Sequence, residues 1–127
     1  MNDMPTRPAA KRLLIGVWRI VDTELWDLDD LDLLEPAHLT LEPDGLGALR
    51  LLAIEADLDY RIVERDGRPA VEFSFDGSDE GYRISGRGWA ILHGEQLRGR
   101  IFLHRGDDSG FTASRREEGS ARRRRGR

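Results

Sequence analysis

Arg83, Arg87 and Trp89 share one parity in a strand-like run, Tyr82 to Leu92, and Arg98, Arg100 and His104 share one parity in the next, Gln96 to His104. Alternate side chains of a β-strand point to the same face, so each trio occupies one side of its strand. Guanidinium groups pair with carboxylates through coplanar N–H donors, and an aromatic ring beside them adds an apolar wall. Facing an interior, these six residues would form a cationic, aromatic pocket for an anionic ligand. Facing outward, they would be solvated arginines around a half-buried tryptophan. Trp89 and Ile91 argue for the first arrangement and the neighbouring charges for the second, with Glu72 available to neutralise part of the set across the strands.

A second constellation is acidic. Asp76, Asp79 and Glu80 flank or occupy the segment Gly77 to Gly81, and Asp107 and Asp108 occupy Gly106 to Gly110. Successive hairpins alternate ends of an up-and-down sheet, so these two loops share a rim, with His104 at the strand end beside it. With eight strands, the acidic run Asp27 to Glu35 joins them. Such a rim suits a divalent cation, which takes several carboxylate and carbonyl oxygens, or a carboxylate pair working as acid and base. Asp is equally a turn former, because it hydrogen-bonds its own backbone, and adjacent Asp residues diverge on an extended chain. The expectation is a rim for loop order and partner contact, with no metal and no catalytic residue. Ser85 and Ser109 lack a nucleophile-elbow setting, and Gly86-Arg87-Gly88 falls within a strand rather than before a helix, so it is no phosphate loop.

The elements that must position these residues are short strands. The stretch from Asp79 to Arg116 reads as an antiparallel meander of Tyr82–Leu92, Gln96–His104 and Phe111–Arg116. Upstream, Leu14 to Leu25 reads as a first strand, apolar on both faces at its start. Trp26 to Pro36 places Leu28, Leu31 and Leu34 three apart among acidic residues, which suits a short helix. Ala37 to Glu42 and Gly47 to Ala56 flank a Pro43-Asp44-Gly45 turn, a tight turn at Glu55 to Asp57 leads to Leu58–Arg65, and Asp66-Gly67 is a strong hairpin signal before Ala70–Asp76. About eight strands joined by tight turns predict an all-β, antiparallel up-and-down barrel. Gly86, Gly88 and Ala90 form a small-residue track on one face, which marks strong curvature or close backbone approach.

With 127 residues the chain is one domain: an expected flexible arm over 1–12, a barrel over 13–116 and a disordered Arg-rich tail over 117–127. Three Trp and four Phe all fall inside the barrel range, and there is no cysteine, so disulfide, thiolate-metal and cysteine-nucleophile chemistry are excluded. The net charge is −4 although the final residues SARRRRGR are strongly basic, so the body is more acidic than the total. Such a body disfavours nucleic acid, except for weak contact through the tail. No apolar run reaches the length of a signal peptide or membrane span, which leads to the expectation of a cytoplasmic protein.

Gly16-Val17-Trp18 at the start of the first strand, with Arg115-Arg116 ending the last, resembles the calycin barrels, the lipocalins above all. The resemblance implies that Trp18 closes one barrel end and that Arg115 or Arg116 packs over its ring. Over Trp18 to Arg115, the segments Glu72-Phe73, Gly77-Ser78-Asp79-Glu80, Ser85-Gly86-Arg87-Gly88-Trp89 and His104-Arg105-Gly106-Asp107-Asp108-Ser109 are similar to a group of small bacterial proteins without an assigned activity. The function expected is a non-enzymatic binding or interaction protein without cofactor, taking a small anionic or apolar ligand or a protein partner. The alternative is a small enzyme or cation-binding protein using the acidic rim and His104.

The tail offers no apolar periodicity to bury. Deleting residues 117–127 is therefore expected to leave the far-ultraviolet circular dichroism spectrum and the melting temperature unchanged, and a large loss of stability would show that its arginines belong to the fold.

Overall fold

Eight antiparallel strands close on themselves in chain order: β1 (Gly16–Thr23), β2 (His38–Leu41), β3 (Leu46–Leu51), β4 (Ile54–Arg65), β5 (Arg68–Asp79), β6 (Tyr82–His93), β7 (Gln96–Leu103) and β8 (Asp108–Arg115). The computed structural model describes residues 5–115, so Arg116 and the segment 117–127 lie outside the described residues. The expected up-and-down barrel is present, with a short helix after the first strand. Closure pairs β8 with β1 and leaves no free sheet edge among the described residues. Among the described residues no helix is long and apolar enough to cross a membrane.

Several boundaries differ from the sequence expectation. The arm assigned to residues 1–12 instead contains helix α1 (Arg7–Leu14). Thr6 caps it by accepting from the Ala9 N–H at 3.4 Å, proline occupies the first turn where no donor is lost, and Ala10 and Leu14, four apart, are buried. Leu14 therefore ends a helix rather than starting β1. The turn expected at Glu55 to Asp57 lies at Leu52-Ala53, where Leu52 takes φ 56 without a glycine to advertise it. The loop expected over Gly77 to Gly81 shrinks to Glu80-Gly81, both at positive φ, as in the tight turns that match strand twist. Asp108 already belongs to β8.

The small-residue track faces inward. A Cβ on Gly86 would approach the Phe75 ring to 2.5 Å, and one on Gly88 would approach the Phe73 ring to 2.5 Å. The two glycines thus let buried phenylalanines from β5 lie across β6. With Val71, Ala90, Leu97 and Ile101 these rings fill the lumen. An eight-stranded barrel is just wide enough for that.

The two ends are closed differently. At one end Trp18 is fully buried, and its indole N–H donates to the Leu14 carbonyl at 2.8 Å, tying α1 to β1. The Arg115 guanidinium lies 4.3 Å from the Trp18 ring centroid and donates to the Ile15 carbonyl at 3.0 Å and to the Leu13 carbonyl. Gly16 has φ +126, and a Cβ there would meet the Arg115 Nη1 at 3.0 Å, so a side chain would crowd the cation over the ring. At the other end α2 (Leu28–Leu31) buries Leu31, whose carbonyl accepts from the Leu52 N–H at 2.8 Å.

Trp18→Ala is expected to cost on the order of 3–5 kcal/mol in urea unfolding, as large aromatic truncations in cores do. Gly88→Ala is expected to cost about 1–3 kcal/mol by overpacking against Phe73. A Trp18→Ala protein with an unchanged unfolding midpoint would remove the tryptophan from the closing role.

Candidate binding site on the outer face

Because β6 turns its glycines inward, it turns Arg83, Arg87, Trp89 and Ile91 outward. The register carries this side across the sheet in rows: Arg61, Glu72, Trp89 and Arg100 in one, and Asp59, Ser74, Arg87, Phe102 and Asp108 in the next. Two depressions flank Trp89. One, of about 440 Å³, is lined by Arg61, Arg65, Glu72, Arg87, Trp89 and Phe102 among others. The other, of about 430 Å³, has Glu24, Trp89, Ile91, His93, Arg98 and Arg100 in its wall.

Two cations in the first depression lie on aromatic faces. The Arg65 guanidinium is 4.1 Å from the Trp89 ring centroid, and that of Arg87 is 5.2 Å from the Phe102 centroid. Stacking holds a guanidinium flat while leaving its N–H edge available. Among the described residues, Arg61, Arg65 and Arg87 have no carboxylate oxygen within 4.0 Å. Asp59, nearby, accepts from the Ser74 hydroxyl at 2.8 Å.

The second depression is different because its central cation is already engaged. Arg100 Nη2 lies 3.0 Å from Glu24 and 2.8 Å from Asp108. Glu24 also accepts from the Gly110 N–H at 3.2 Å. That backbone hydrogen bond, followed by the bond and charge of Arg100, lowers the Glu24 pKa below the usual glutamate range. The hydrogen bonds that Arg100 donates to Asp108 and Glu24 raise its own pKa. Burial, then the charges of Arg68 and Arg98, lowers the pKa of His93, whose surroundings on this part of the face are cationic.

No family pattern, curated protein or solved structure matches this chain.

The six residues singled out as a ligand face are only partly gathered. Arg87 and Trp89 line the first depression, and Trp89, Arg98 and Arg100 the second. Arg83 is apart, paired with Asp76 at 3.3 Å in a solvent-exposed bridge. His104 belongs to the β7–β8 turn, where its N–H donates to the Ser85 carbonyl at 2.8 Å. The acidic rim does not converge: Asp76 and Asp108 are engaged by Arg83 and Arg100, Asp79 is a strand residue opposite Ile54 and Tyr82, and Glu80 and Asp107 are in turns. Among the described residues no three Asp, Glu or His side chains lie close enough to hold a metal. Arg61 and Arg65 were not singled out by the sequence. The signal was available, since both fall on the parity opposite to Leu58, Tyr60 and Ile62.

Glu24 has a folded pKa below its unfolded one, so the stability it supplies is full above the unfolded value and is lost as pH falls through the folded value. In a carboxyl-detected NMR titration Glu24 is expected to titrate below the ordinary glutamate range and to move back up in Arg100→Ala. Unshifted titration in both proteins would remove the bridge.

Proposed function

We propose that this is a non-enzymatic, cytoplasmic binding protein that takes a carboxylate-bearing ligand on the outside of its barrel. The observation that carries the reading is the pair of stacked guanidiniums, Arg65 on Trp89 and Arg87 on Phe102, opening on one depression without a carboxylate partner among the described residues. Desolvating a cation without a counter-charge is unfavourable, so an anion arriving there gains bidentate hydrogen bonds at little reorganisation cost. The filled lumen supports an outer rather than an inner site. The Trp18–Arg115 stack supports a calycin-like reading of the barrel, with the binding surface moved outside.

Other features favour binding over catalysis. The Ser109 hydroxyl is buried and engaged with the Leu25 N–H at 3.2 Å and the Gly110 carbonyl at 2.9 Å, which leaves it no role as a nucleophile. His104 lines neither depression.

The test is an NMR titration with acetate, succinate and benzoate, following the tryptophan indole and arginine Nε signals. Shifts are expected at Trp89, Arg65 and Arg87 and not at Trp18, with benzoate the tightest of the three because its ring adds apolar contact, and they should vanish in Arg65→Ala/Arg87→Ala. Shifts confined to Trp18, or none at all, would overturn the outer site.

A further inference from the structure

The connection between β1 and β2 displays leucines to solvent. Leu25, Leu28, Leu33 and Leu34 are 49%, 48%, 59% and 59% exposed, half of all the exposed large hydrophobic residues described. Carboxylates are interleaved with them at Asp27, Asp29, Asp30 and Glu35. Scattered exposed leucines are ordinary, but four in ten residues of a single connection are a patch. The display is not slackness. Asp32 grips Arg19 at 2.6 Å and the Ala37 N–H at 2.9 Å, Thr23 exchanges hydrogen bonds with Trp26, and Leu31 is clamped in the barrel end. The strap is thus pinned from within while its leucines face outward.

What would cover it is present on the same molecule. The first depression beside Trp89 offers aromatic walls and arginines without a carboxylate partner among the described residues, whereas the strap offers carboxylates and exposed leucines. The strap joins β1 to β2, whereas the depression lined by Arg65 and Arg87 is centred on β5 and β6, four strands away in the closed order. We propose that the strap of one copy docks into the Trp89 depression of a second copy, with Asp29 and Asp30 toward Arg65 and Arg87, and Leu33 and Leu34 toward Trp89 and Phe102. This rests on the reading of that depression as a carboxylate site and names its occupant. Unlike patches make a head-to-tail contact, and such a contact builds rings or open chains instead of a closed pair.

Two variants separate the halves: a strap variant, Asp29→Asn/Asp30→Asn/Leu33→Ser/Leu34→Ser, and a groove variant, Arg65→Glu/Arg87→Glu. All of these side chains are exposed except the half-buried Arg65, and melting curves verify that both variants fold. In sedimentation velocity at low salt, the full-length protein is expected to gain average mass continuously with concentration, past that of a dimer. Each variant alone should remain monomeric. Mixed, they restore one intact strap facing one intact groove and should stop at a one-to-one pair. A protein that stays monomeric at every concentration, that plateaus as a dimer, or whose association survives either variant overturns the proposal. If benzoate still shifts Trp89 while the copies stay apart, the carboxylate site stands and only its occupant is wrong. If the copies associate by strap and groove but small carboxylates do not bind, the contact is apolar and the carboxylate reading falls.

Discussion

The width of an eight-stranded barrel governs the rest of this structure. Such a tube closes around about one layer of side chains from each wall. Phe73 and Phe75 on β5 need more room than a neighbouring wall of ordinary residues would leave, and Gly86 and Gly88 on β6 supply it. Once β6 gives its inner parity to glycine and alanine, its bulky and charged residues have only the outer parity left. Arg87 and Trp89 are outside because the lumen is full. The same packing that stabilises the core therefore creates the aromatic and cationic surface, and the fold and the candidate site have a common origin in the alternation of one strand.

The outer face is organised by the difference between engaged and unengaged cations. Arg100 is shared by Glu24 and Asp108 and joins the end of β1 to β7 and β8. Exposed pairs of this kind contribute little to stability, but a cation held by two carboxylates is a poor receptor for a third. Arg65 and Arg87 are held by rings, which fix their planes without satisfying their donors. Two neighbouring depressions of similar size thus differ in what they can accept, and Trp89 is the wall between them.

How far the sequence revealed this depended on whether a feature was written in residue types or in packing. Asp66-Gly67 announces its turn because glycine and aspartate tolerate positive φ. Leu52 adopts φ 56 with no such residue, driven by the burial of Ile54, Ala56 and Leu58, so residue types point to a turn several residues too late. Thr6, Pro8 and the spacing of Ala10 and Leu14 announce helix α1, yet the prolines of this segment suggest an arm. Gly77 looked like a loop residue, yet a Cβ there would reach the Glu55 carbonyl at 2.1 Å, so it is a glycine of close strand approach. For the site, the outward placement of Arg87, Trp89 and Arg65 is legible from alternation. The meeting of Arg65 with Trp89 is not, because it joins strands whose register is fixed only in three dimensions.

The Arg115 guanidinium that covers Trp18 reaches back to Leu13 and Ile15, about a hundred residues earlier in the chain. During synthesis this tie cannot form until β8 has been made. Until β8 leaves the ribosome, the edges of β1 and β7 are both open, α1 has no cation to hold it over the barrel end, and an apolar lumen faces water. Contacts between such distant positions carry a large loop-closure cost and slow the search for the native state. The nascent chain consequently passes through a stage with two unpaired strand edges, the species most exposed to intermolecular pairing. That stage lasts until β8 pairs with both neighbours.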